Sequence, residues 1–164
     1  MAKNFIFSIK TAKYGVAAVT GSMPSSLTDL GNTVKGSVTI DESAGTEAKF
    51  WEDQSPVPVR VVKTDEGELS ATMQFYDIAY ATLQDLKGGT GNASGWSPTA
   101  AFTQVSKAFE ITTDSGHKLE IYNGSVIARI TGGGGRDKMF SMEVKVTPQI
   151  TADGISSYKW SPST

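Results

Sequence analysis

Between Pro56 and Gly89 the apolar period of this chain changes from two to 3.6, and few folds accommodate that change. Val57, Val59 and Val61 alternate with Pro58 and Arg60, which predicts a strand. Asp65-Glu66-Gly67 supplies turn chemistry, because glycine accepts positive φ without a Cβ penalty. Leu69, Ala71, Met73 and Phe75 alternate with Ser70, Thr72 and Gln74, which predicts the returning strand of a hairpin. Helical spacing then takes over. Asp77 is placed to cap the helix, Ala79, Leu83 and Leu86 with Tyr76 and Tyr80 share a side, and Gly88-Gly89 ends it. A hairpin that runs into a short helix has an apolar side, which the rest of the chain must cover.

The remaining segments are short, mostly alternating, and separated by turn residues. Phe5, Phe7 and Ile9 alternate with polar residues, and Tyr14 to Val19 reads as another strand. Ser22 to Gly31 reads as a loop anchored by Leu27 and Leu30. Val34, Val38 and Ile40 predict a strand, and Asp41 to Gln54 is the longest polar connection. Gly88 to Ala100 reads as an irregular loop. Ala108 to Thr113 and His117 to Tyr122 flank Asp114-Ser115-Gly116, and Ser125 to Thr131 follows the turn dipeptide Asn123-Gly124. Lys138 to Val146 alternates most clearly, with Phe140, Met142, Val144 and Val146 on one side. Ile155 to Trp160 is a last short strand. Many short strands and one helix after a central hairpin predict an all-β sandwich or barrel, in a single domain over 1–164.

Charge and composition narrow the function classes. The net charge is −2, so the total carries no basic nucleic-acid footprint. With no cysteine, there is no disulfide framework, thiolate nucleophile or cysteine metal site. The N-terminus shows no signal-peptide pattern, and no apolar run is long enough for a membrane-spanning helix.

No residue pattern points to catalysis, a metal or a cofactor. His117 is the single histidine and reads as a surface residue; a triad or a zinc site needs partners it lacks in sequence. Gly132 to Arg136 lacks the Lys-Ser/Thr pair and the following helix of a phosphate loop, so it reads as a hairpin tip. Such a tip can order against a neighbour, which makes Arg136 an interface candidate. The acidic pairs Asp41/Glu42, Glu52/Asp53 and Asp65/Glu66 lack calcium-loop spacing. Trp51, Trp96 and Trp160 do not share one strand face, as a sugar platform would require. Phe50 and Trp51, next to Glu52 and Asp53, are large aromatics in an acidic connection; they tuck onto their own domain or dock on another subunit.

The segment Lys49 to Gly89, opening on Phe50-Trp51-Glu52-Asp53, resembles the tail tube (major tail) proteins of tailed bacteriophages. In that family an aromatic-acidic segment precedes a strand, a Gly-Glu hairpin (here Gly67-Glu68) follows, and the returning strand feeds a short helix ending at glycine. Type VI secretion tube proteins and the inner tubes of contractile injection systems look alike in fold. The resemblance implies hexameric rings stacked into a hollow tube that conducts DNA without binding it specifically. It implies a place in the virion tail after synthesis in the host cytoplasm. The implied partners are further copies, the tape measure, the tail terminator and the distal tail protein, with no membrane. The implied contacts run through Asp41 to Ser55, anchored by Phe50 and Trp51, and through an N-terminal arm (1–13) and a C-terminal tail (148–164). The competing expectation is a monomeric or trimeric β-sandwich binding module, carbohydrate-binding or capsid-decorating.

Overall fold

The computed structural model describes residues 8–76, 78–101, 103–133, 139–152 and 156–163. Its strands are β1 (Ile9–Val16), β2 (Thr28–Asp29), β3 (Thr39–Glu42), β4 (Glu47–Phe50), β5 (Arg60–Lys63) and β6 (Leu69–Phe75). After helix α1 (Tyr80–Lys87) come β7 (Thr90–Asn92), β8 (Gly95–Ser97), β9 (Val105–Thr113), β10 (His117–Thr131), β11 (Ser141–Pro148) and β12 (Tyr158–Pro162). The all-β expectation with one short helix is what the described residues adopt. The main antiparallel sheet runs β2-β1-β9-β10-β11-β6-β3, with β12 also on β10.

The alternating residues of β6 and β11 build the centre of the core. Ala71, Met73, Phe75, Met142, Val144 and Val146 are fully buried, joined from β9 and β10 by Phe109, Ile111, Leu119 and Ile121. Phe140, expected on the same side, lies beyond the end of β11 and is exposed. The segment after β2 closes one end of the sheet on itself. Leu30 N–H donates to Ala12 O, Val34 N–H to Gln74 O, and Tyr76 N–H to Asn32 O. Leu30 is thereby held in the core, as the loop expectation required.

Helix α1 lies against this core through Leu83 and Leu86. Its cap position is Ala79, with no side-chain hydrogen bond; Asp77 lies outside the described residues. Tyr76 and Tyr80 do not share the buried side but are exposed, and Thr82 is buried instead. Tyr14 from β1 ties the helix down, its hydroxyl donating to Asp85 at 3.0 Å.

Four sequence expectations are corrected. The expected strand pair across Asp65–Gly67 does not form: β5 pairs with β4, while β6 pairs with β3 and β11. The true partner lies upstream, inside what reads as a polar connection. The expected strand through Val34 is broken by a turn at Lys35-Gly36, where Gly36 has φ +75°. The two strands expected on either side of Asn123-Gly124 are one long strand, β10. Its register against β9 slips between Ile121 and Gly124, a bulge that bends the strand without reversing it. Glycine stands there because a Cβ would come within 2.5 Å of Val146 Cγ1. Finally, the expected irregular loop after α1 contains the β7–β8 hairpin, whose turn is fixed by Ser94 N–H donating to Asn92 Oδ1.

Of the segments expected to make contacts, residues 1–7 and Arg136 lie outside the described residues, as do Phe5, Phe7 and Ile155. Ile9 to Lys13 belong to β1, an inner strand between β2 and β9. The stretch after Pro148 returns to the sheet as β12 beside β10.

Candidate functional site

Strands β3 and β4 on one side, and β5 and β6 on the other, form one long two-stranded arm with an interruption. The main-sheet part ends at the Glu42–Leu69 rung, and pairing resumes at Glu47–Lys63. One more residue lies on the 64–68 side of the joint than on the 43–46 side, so it is a bulge. The joint is closely packed backbone. A Cβ on Gly67, whose φ is +84°, would sit 1.9 Å from Ser43 O, and one on Gly45 would sit 2.2 Å from Asp65 O. Ser43 N–H donates to Glu68 O, and Glu68 N–H donates to Ser43 Oγ. Gly67, read from sequence as a hairpin turn, is therefore the crossing point of this joint.

Beyond the joint the ribbon's side chains are exposed or half-buried, and none is buried. From Glu42 to Phe50 an extended chain climbs roughly 25 Å. Phe50 and Trp51 are 56% and 59% exposed, and Val57, Val59 and Val61 are similarly bare. Phe50 shares a ribbon face with Arg60, while Val61 shares the other face with Lys49. Both faces thus carry apolar side chains in water. Glu52 and Asp53 follow at the exposed tip. A lone two-stranded ribbon is marginal in water, and a cluster of exposed aromatic and aliphatic groups marks a contact surface. Pro56 and Pro58 lack amide protons, which limits strand addition along this edge.

The opposite end of the same sheet is also apolar. Because β6 is antiparallel to β11, the Phe75–Met142 rung lies at the far end from Leu69. Ile130, Met139, Phe140 and Tyr76 are exposed there. The sheet therefore presents apolar groups at both ends, about 20 Å apart along β6.

Among the described residues, besides β2, which pairs only with β1, two further strands of the main sheet have an open edge. Among the described residues β3 pairs only with β6, and β12 only with β10. A cleft of about 640 Å³ lies between them, lined by Ile9, Val38, Ile40 and Trp160. Lys35 is the one charged residue on its described lining.

The other singled-out residues have structural places. Trp96 donates its indole N–H to Gly88 O at 2.8 Å and lies 6.0 Å below the Lys87 ammonium, so it fastens the end of α1. Trp51 follows β4, whereas Trp96 is on β8 and Trp160 on β12, so no two share a strand. His117 starts β10 and its backbone pairs with the Thr113 side chain. Among the described residues no three histidine or acidic side chains are grouped to hold a metal ion. No described helix is long and apolar enough to cross a membrane.

Sequence reasoning singled out Phe50 and Trp51, which are exposed, but not the cleft or Lys35. The partial signal was Val38 and Ile40 in an edge strand, whose open side only the topology reveals. No protein-family model matches this chain, and a search of the curated proteins finds no significant relative.

Proposed function

We propose that this chain is a structural, non-enzymatic protein whose copies assemble head to tail, in the manner of the phage tail tube proteins its central segment resembles. In that reading, six copies close into a ring and rings stack into a tube that conducts DNA in a virion tail. The carrying observation is the unsupported β4–β5 ribbon, apolar on both faces, at one end of a sheet whose other end is also apolar. A contact between unlike ends is head-to-tail, and with a rotation that does not close a ring it propagates along an axis.

The sheet face turned away from the core supports the same reading. Arg129 on β10, Glu143 on β11 and Gln74 on β6 form one hydrogen-bonded row, and Lys145 and Thr72 form the next. Arg129 is paired with Glu143, and Lys145 stands between exposed Ile127 and Thr72, so phosphates meet no continuous cationic track in these rows. Such a wall lets a polyanion slide. A carbohydrate-binding module gains less support, because Trp96 is committed to Gly88 and Lys87.

Negative-stain microscopy of the purified protein tests the proposal. Rings or tubes are the expected result. A monodisperse monomer at high concentration, unchanged when the other tail components are added, contradicts it.

A further inference from the structure

We propose that the cleft between β3 and β12 is the socket for the Phe50–Asp53 tip of a second copy of this chain. The inference rests on the head-to-tail reading and adds the surface that receives the ribbon.

Three observations carry it. The first is chemical match. Ile9, Val38, Ile40 and Trp160 supply the apolar half of a cleft of about 640 Å³ whose other half is polar, with Ser8, Thr33 and Thr113, and that volume suits a compact ligand group. Phe50 and Trp51 are exposed aromatics of the kind that anchor interfaces by filling such pockets. The second is charge. Lys35 is the only charge on the described lining, and the tip carries Glu52 and Asp53 directly after its aromatics. The whole arm from Asp41 to Glu68 has eight carboxylates and three cations, so a cationic socket favours it over other surfaces.

The third is direction. Lys35, Gly36 and Val38 precede β3, whereas the ribbon leaves the sheet past Glu42, at the other end of that strand. The joint that aims it is locked by Gly45 and Gly67 against opposing backbone. A chain therefore cannot seat its own tip, and the occupant is a neighbour.

Charge exchange tests the pairing. Lys35→Glu alone, and Glu52→Lys with Asp53→Lys alone, should each raise the concentration needed for assembly about tenfold or more. The combined variant should recover most of that loss. Assembly of Lys35→Glu at the wild-type concentration, or no recovery in the combined variant, overturns the socket while leaving the assembly reading standing. Wild-type protein that never assembles overturns both. The natural absence of cysteine permits a second test. Gln54→Cys and Thr33→Cys proteins, the second altered on the lining of the cleft, mixed and oxidised, should give a disulfide-linked pair of one of each. Linkage of Gln54→Cys to itself, or no linkage in the mixture, contradicts the pairing.

Discussion

The Tyr158 hydroxyl donates to Glu42 Oε1 at 3.4 Å, joining two edge strands that share no backbone hydrogen bond. Burial and the nearby Glu42 carboxylate both raise the Tyr158 pKa. At that length, and in an exposed setting, the bond is a weak clasp. Tyr158→Phe should therefore lower unfolding stability by no more than about 1 kcal/mol in urea titrations. A larger loss would mean that the seam is sealed more tightly than its hydrogen bonding indicates.

Tyr14 gives the opposite case. It is buried, its ring packs at 6.5 Å from Phe109, and its hydroxyl is bonded to Asp85. Burial, then the hydrogen bond and negative charge of Asp85, pushes its pKa up to about 12. An unfolded tyrosine ionises near pH 10. The folded value is the higher one, so this contribution is complete below about pH 10 and is lost as pH rises toward 12. It amounts to about 2–3 kcal/mol. Alkaline titration followed by circular dichroism should show unfolding steepening in that window, and Tyr14→Phe should flatten it.

Glu143 sets part of the acid limb. The hydrogen bond from Arg129, helped by Gln74 and opposed by partial burial, holds its pKa below the usual carboxylate value of 4.5. A lowered folded pKa stabilises above the unfolded value, and that stabilisation is lost as pH falls through the folded one. Glu143→Gln should make stability less dependent on pH below about 4.5. An unchanged acid limb in thermal melts would show that the Arg129 pair contributes nothing.

Gly67→Ala should act on the ribbon and spare the main sheet. The added methyl meets Ser43 O in a positive-φ position, a cost of roughly 1–3 kcal/mol confined to the joint. Amide exchange at Val59 and Thr64, which donate to Phe50 and Thr46, should accelerate while exchange in β10 and β11 stays slow. Equal acceleration everywhere would place Gly67 in the global fold instead.

The parts of this fold that were legible in sequence are those where each residue's environment repeats along its own strand. Leu69, Ala71, Met73 and Phe75 alternate because one side of β6 faces the core over its whole length. The misreadings fall where a distant segment decides the outcome. Asp65-Glu66-Gly67 has turn composition, yet the chain crosses Ser43 there, some twenty residues upstream in sequence. Asn123-Gly124 has turn composition too, but its glycine makes room for Val146. Glycine signals positive φ and close approach with the same letter, and only the neighbour distinguishes them. Phe50 and Trp51 stood out because two large aromatics in an acidic connection have no local partner. The cleft did not, because Ile9, Val38, Ile40 and Trp160 meet only through the order of strands in the sheet.

The proposed assembly depends on the bare ribbon as a contact between copies. Sedimentation velocity over a range of concentrations, on the wild type and on a Phe50→Ser, Trp51→Ser double variant, tests it most directly. The account predicts large assemblies for the wild type, and a folded monomer with the same circular dichroism for the variant. Assemblies of equal size from both proteins, or monomer from both, would contradict it.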